Sequence, residues 1–494
     1  MQKDISKQIG QATKWSSITE IAAKLISPIV NMVLARLLAP AEFGVVATIT
    51  MVISFAEIFT DAGFQKYIIQ HEFKDEEELN KNTTVAFWTN LCVAFLICGL
   101  IILFRDPIAD LVGSPGLGNS IGVASALIII AAFSSIQMAR YKRAFDFKTL
   151  FYTRIGTTLI PLFVTVPLAF IVRNYWALLI GNFASQLFNA ILLTAKSKWK
   201  PSFFYSFSML KEMFSFSAWT LLESISIWLT SYIGVFIVGN YLSDYYLGIY
   251  KTSMSTVGAY MAIITGAITP VLFSALSRYQ HDDAEFRKTY YRLQRITAIW
   301  VFPMGIGMFL FRDFLTYILL GEQWMEASGF VGLWGLTSAF AIVFSHFSSE
   351  VYRSKGNPRI SLFTQLLHLA CIIPTLLISI QYDFKVLYTA RSLVRIQLIL
   401  TAIIIMRVLY KFKISDVIKN VLPMILSSIV MGGVGFILKQ ISPNILWQFV
   451  SIMLCAVIYF VILLVCFPKT REEVLQIQYV QKVLRKIKKQ SENK

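Results

Sequence analysis

Fourteen apolar stretches of about 20 residues follow one another along nearly the whole chain. A helix rising roughly 1.5 Å per residue needs a run of that length to cross the ~30 Å hydrocarbon core of a bilayer. Hydrocarbon offers the backbone no water, so a crossing segment must satisfy its own N–H and C=O groups, and continuous apolar runs do so as helices. The spans fall near 15–38, 41–62, 84–104, 119–138, 150–172, 176–194, 213–239, 247–274, 296–311, 327–349, 360–380, 386–406, 420–438 and 445–466. The sequence thus predicts an all-α polytopic membrane protein with 14 transmembrane helices. Its loops are too short to hold a soluble domain, and with 56% hydrophobic and 15% charged residues the composition is far from that of one.

The second half restarts the first. Trp15, Leu38 and Gly44 recur as Trp219, Leu242 and Gly248, each 204 positions later, and Ile21, Leu25, Ser27, Ile29 and Thr48 also meet identical residues at that offset. Six spans separate the copies, an even number, so both copies run in one direction, as parallel repeats about an axis along the membrane normal. The expected organisation is a six-helix bundle over 1–200, a matching bundle over 201–412, two added transmembrane helices over 413–467 and a tail over 468–494.

Charge fixes the orientation. Of the 45 Lys and Arg, 34 fall in the tails and the loops on the N-terminal side of the membrane and 5 in the opposite loops, so the positive-inside rule places both termini in the cytoplasm. The net charge of +17 is then a product of insertion, spread over loops 139–148, 195–200 and 352–359, and nucleic acid is not an expected partner. In the tail, Val474, Ile477, Val480, Leu484 and Ile487 keep helical spacing against Lys482, Arg485, Lys486, Lys488 and Lys489, a pattern that lies on anionic phospholipids. The first apolar run carries Glu20 and Lys24 and lacks a small-residue cleavage site, so it does not read as a cleavable signal. All five cysteines lie inside spans and the four histidines are scattered; neither a metal nor a cofactor is expected.

Ten ionisable residues lie within spans, where each costs roughly 2.5–3.5 kcal/mol unless it faces water or a partner. Glu20, Lys24, Ser27 and Asn31 follow a 4-3-4 spacing in the first span, and Thr50, Ser54, Glu57 and Asp61 repeat it in the second, so each set forms one narrow helical stripe. Glu20 and Lys24 also suit a neutralising pair in a packed bundle, and Arg36, Arg154 and Lys251 lie near enough to helix ends to snorkel. Arg391 and Arg395 stack two like charges four residues apart with no acid in their span, and so require an anion from elsewhere. With six basic groups against four acidic ones, the interior is positive and suits phosphate, diphosphate or carboxylate. Lys24, Arg36, Arg154, Lys251, Arg391 and Arg395 are accordingly the candidate substrate-binding residues, and Glu20, Glu57, Asp61 and Glu223 the candidates for ion coupling or charge balance. G-x-x-x-x-G-K-[ST], G-x-S-x-G and H-E-x-x-H motifs are missing, so the expectation is a transporter without its own ATPase, not an enzyme.

The run Leu34-Ala-Arg-Leu-Leu-Ala-Pro-Ala-Glu-Phe-Gly44, continuing to Asp61-Ala-Gly63, resembles the first helix pair of the polysaccharide transporter family. That family comprises the lipid-linked oligosaccharide flippases of the multidrug/oligosaccharidyl-lipid/polysaccharide exporter superfamily. Leu320-Gly-Glu-Gln-Trp324 and Tyr352-Arg-Ser-Lys-Gly-Asn-Pro-Arg359 fit the same family, and the stretch from Gln137 to Phe147 looks most like its colanic-acid and O-antigen branch. The resemblance implies two six-helix bundles facing each other in a V around a central cavity. It implies alternating access for an undecaprenyl-diphosphate-linked oligosaccharide in a bacterial inner membrane, with the last two spans guiding the lipid tail and a polysaccharide polymerase and chain-length machinery as partners. A lipid II flippase and a multidrug and toxin extrusion antiporter are the alternatives. The second copy departs from the motif: Asn240 stands where Arg36 would recur, and Asp244 where Pro40 would.

Overall fold

The structure, a computed structural model, describes residues 19, 22–61, 64–468 and 471. Glu20 and the basic tail beyond 471 lie outside the described residues, as do the side chains of Asp61 and Glu223. The chain is helical almost throughout. Residues 22–37 form α1, followed by α2 Pro40–Asp61, α3 Phe64–Gln70, α4 Glu76–Leu103, α5 Arg105–Leu111, α6 Gly118–Ala124 and α7 Ala126–Arg143. Next come α8 Phe147–Phe163, α9 Thr165–Val172, α10 Trp176–Lys196, α11 Phe207–Tyr241, α12 Asp244–Arg278, α13 Asp283–Leu310 and α14 Arg312–Leu319. The remainder is α15 Ser328–Ala341, α16 Phe347–Ser354, α17 Pro358–Ser379, α18 Phe384–Leu393, α19 Arg395–Val408, α20 Ile414–Ile441 and α21 Ile445–Cys466. Among the described residues, 13 helical segments are long and apolar enough to cross a membrane, and the first expected span is described only in part, as α1.

Local chemistry sets the helix ends. Pro40 has no N–H to lose at a first turn and its fixed φ suits one, so the chain leaves α1 at Leu38 and restarts as α2. Asp75, Asp146, Asp282 and Asp383 each accept a backbone N–H at the start of α4, α8, α13 and α18, which assigns these acids to capping. Apolar runs continue across breaks inside spans: α8 gives way to α9 at Val164, three residues after Pro161, and a π-turn at Ile342–His346 separates α15 from α16. The exterior is apolar. Phe163, Ile171 and Leu446 are at least 75% exposed, a surface that water disfavours and lipid does not.

The helices pack into two compact units. The first takes the described residues up to 267 with 316–330 and 358–394, and the second takes 268–315, 331–357 and those from 395 onward. One core of the first unit gathers Phe64, Ile68, Val85, Phe87, Ile136 and Met213 beneath Trp199. Nearby, Arg143 donates to the carbonyls of Ile68 (2.9 Å) and His71 (2.7 Å), the free end of α3. A smaller core of Val30, Leu34, Leu38, Ala169 and Ala177 fixes α1 against α9 and α10.

The repeated glycines meet inside this unit. A Cβ on Gly44 would overlap the carbonyl oxygen of Asp244, and one on Gly248 would overlap the carbonyl oxygen of Pro40. Pro40 and Asp244 are themselves 204 positions apart, so the contact is reciprocal, like the self-complementary interface of a two-fold dimer. In the second unit, Asn420 of α20 accepts from Arg295 of α13 at 3.0 and 2.7 Å and donates to Tyr291 O and Gln294 Oε1. Tyr459 of α21 donates to Ile299 O at 2.8 Å. The two last spans are therefore bonded along α13 by polar groups as well as packed on it.

Candidate functional site

A cavity of about 930 Å³ opens within the first unit, walled by α1, α2, α7, α8 and α10. Its lining runs from Lys142 and Phe147, beside the basic run Arg140–Arg143, to Leu34, Val46 and Leu178 at the far end. Both stripes read from the sequence reach it: Ser27 and Asn31 from α1, and Thr50, Ser54 and Glu57 from α2. Arg154 enters from α8 with Thr153, Thr157 and Thr158 around it. The hydroxyls of Thr157 and Thr158 both donate to the Arg154 carbonyl, at 2.9 and 2.7 Å, and Thr153 donates to Thr149 O. Each donor is thereby used on its own helix.

Sequence reasoning missed two parts of this wall. Lys142 lines the cavity although it belongs to a run that reads as an insertion loop. On α10, Asn182, Ser185, Gln186 and Asn189 fall at i, i+3, i+4 and i+7 and all face the cavity; that spacing was available in the sequence, but uncharged residues stand out less in an apolar span. Among the described residues Glu57, Lys142 and Arg154 form no ion pair within 4.0 Å. Three ionisable groups thus share a space otherwise lined by hydroxyls, amides and aliphatic groups.

The other candidates lie elsewhere. The Lys24 ammonium rests against Gly266 of α12, where a Cβ would overlap it. Lys251 sits over the Tyr232 ring at 4.5 Å. Arg391, 7% exposed, donates from Nε to the Tyr250 hydroxyl at 3.1 Å in the first unit. Arg395, in the second unit, donates to Ser338 Oγ at 2.6 Å and lies 3.9 Å from the centroid of Trp334. The helix is interrupted between the two arginines, at Val394.

Arg36 holds the far end of the first unit together. Its Nη2 donates to Ile318 O at 2.9 Å, and the following turn returns bonds to α1: Gln323 Nε2 donates to Ala35 O and Leu38 O at 2.6 and 2.8 Å, and Trp324 Nε1 to Ala35 O at 2.7 Å. Phe43 packs edge-on against Trp324 at 5.2 Å. Carbonyls left free at the end of α1 are thus capped by side chains, and Glu42 accepts the Tyr175 N–H at 2.6 Å where α10 begins. The segments 34–44 and 320–324, singled out separately in the sequence, form one cluster.

Comparison with known proteins places the chain in a family. The model of a family described as polysaccharide biosynthesis protein matches residues 33–329. The succinoglycan biosynthesis transport protein ExoT of Rhizobium meliloti (strain 1021) is 24% identical over 336 residues, 68% of this chain and 66% of that protein. The teichuronic acid biosynthesis protein TuaB of Bacillus subtilis (strain 168) is 22% identical over 361 residues, 73% of this chain and 74% of its own length. Among solved structures, the lipid II flippase MurJ in an inward closed conformation superposes with a TM-score of 0.75 at 13% identity, covering 92% of this chain and 98% of that one. At that identity the likeness is one of fold.

Proposed function

The chain belongs to the polysaccharide biosynthesis protein family, a multi-pass membrane transport protein of that process, and from this premise we propose that it flips an undecaprenyl-diphosphate-linked oligosaccharide. The movement is from the cytoplasmic to the outer leaflet of a bacterial inner membrane, by alternating access of the repeats 1–200 and 201–412, with both termini cytoplasmic. The observation that carries this reading is the cavity of about 930 Å³, where hydroxyl and amide groups surround Arg154 and Lys142. Sugars offer many O–H groups to such a wall, and a diphosphate is the ligand that repays desolvating two cations. A wall with two basic groups and one acid is a poor match for cationic drugs.

Within this reading Arg154 and Lys142 contact the diphosphate, and Lys24, Arg36, Lys251, Arg391 and Arg395 complete the basic set. Arg391 and Arg395 reach ligand only by exchanging their bonds to Tyr250, Ser338 and Trp334. Glu57 is the described carboxylate in the cavity and exchanges the coupling ion. The polysaccharide polymerase and chain-length machinery are the proposed recipients of the product.

The test is flipping of a fluorescent polyprenyl-diphosphate oligosaccharide in proteoliposomes. Arg154→Ala with Lys142→Ala is expected to lower the rate roughly 10- to 100-fold at unchanged insertion, the effect of losing charge-assisted bonds of about 1.5–3 kcal/mol. Glu57→Gln should abolish the response to an imposed proton or sodium gradient. Wild-type flipping by the double variant overturns the assignment.

A further inference from the structure

The second unit holds a smaller cavity, of about 300 Å³, that the transport reading does not use. Three connecting segments build it: the start of α13, the residues after α16, and the stretch 409–412 between α19 and α20. Phe286 and Phe412 are buried in its floor, and Tyr410 beside them stacks on Tyr352 with ring centroids 5.7 Å apart. The rim is cationic. Lys355 Nζ donates to Gln280 O at 2.7 Å and to Asp283 Oδ1 at 2.8 Å, so this pair is neutral and ties two of the segments together.

Two positive charges remain. Arg287 lies 5.6 Å from the Phe412 ring centroid, and neither it nor Lys411 has a carboxylate within 4.0 Å among the described residues. Lys411 is held at φ 55, a left-handed conformation that disfavours a residue with a Cβ. The turn is closed nonetheless, by Phe412 N–H on Met406 O at 3.0 Å. Phe145 takes the same conformation after α7, closed likewise by Asp146 N–H on Tyr141 O at 3.0 Å, so this is a helix-ending turn, and it brings Lys411 to the rim. The helix α20, 28 residues long, begins at the same place, and its N-cap residue Lys413 makes no side-chain capping bond. Loops basic only for insertion do not require a cavity lined by aromatic rings.

We propose that this cavity is a binding site for the phosphate of a lipid headgroup, with the phosphate between Arg287 and Lys411. Basic pockets between transmembrane helices at a cytoplasmic surface recognise acidic lipids in this way. The surface assignment rests on the orientation given under the proposed function. The headgroup comes from a resident anionic phospholipid or from a polyprenyl diphosphate waiting outside the transport cavity.

The experiment measures retention of phosphatidylglycerol, against phosphatidylcholine, by the purified full-length protein using native mass spectrometry. Arg287→Gln with Lys411→Gln should weaken phosphatidylglycerol binding about thirtyfold, and Lys411→Gly, which removes one charge and suits the positive φ, about fivefold. Lys288→Gln, which removes an exposed charge paired with Glu285, should leave binding unchanged. Displacement by undecaprenyl diphosphate identifies the polyprenyl headgroup as occupant, and its failure to displace identifies the phospholipid. Equal binding of phosphatidylglycerol and of undecaprenyl diphosphate by wild type, the double variant and Lys411→Gly overturns the site. Because the readout is binding and not flipping, that result would leave the transport reading standing.

Discussion

Gly44 and Gly248 each occupy a place where a methyl group would meet a carbonyl oxygen of the opposing helix. Backbone yields less readily than a side chain, so Gly44→Ala should destabilise the protein by about 1–3 kcal/mol, read as a lower thermal midpoint in detergent. Gly258, with nothing within 4 Å of an added Cβ, is the counterpart: Gly258→Ala should stabilise α12 by about 0.5–1 kcal/mol. A fall for both would show that the reciprocal contact is not the cause. The 204-residue offset made the two glycines visible in the sequence, but that they touch each other was not, because an alignment carries no distance. Charged residues were the easiest to find and the hardest to place. Arg154 and Glu57 line the large cavity, whereas Arg36 is used on a backbone carbonyl, a role no spacing rule announces.

At the scale of elements, length and apolarity gave the spans, because a run of apolar residues has one stable form in lipid. The interruptions were less legible: Pro161 marks the break at Val164, but neither Ile342–His346 nor Val394 carries a proline or glycine to announce one. For that reason Arg391 and Arg395 read as one stack, although each sits in a separate helix with its own protein partner. The junction between α1 and the 318–324 segment gives the test at this scale. Gln323→Ala removes two bonds, to the carbonyls of Ala35 and Leu38; Ala35 O keeps Trp324 Nε1, so the expected cost is about 1–3 kcal/mol for Leu38 O left without its donor. Amide exchange should accelerate at residues 34–38 while α4 stays protected; unchanged exchange at 34–38 would show that Trp324 alone secures this end.

For the whole molecule, the arrangement calls for a dry exterior and a wet interior within the first unit. Asn31→Cys and Ser54→Cys, placed in a background without the five native thiols, should react with membrane-impermeant maleimides because both positions line the cavity. Ile29→Cys, 59% exposed on α1 but outside the cavity lining, should stay protected by lipid. Equal protection of all three would mean that the cavity holds no water. The bonds that close the far end of this unit also have a one-sided genetics. Gln323 and Trp324 donate to main-chain carbonyls, and every amino acid supplies a carbonyl. Exchanges at Ala35 and Leu38 leave those acceptors in place, so a weakened closure is repaired from the donor side of the contact and cannot be rescued by choosing a different acceptor side chain.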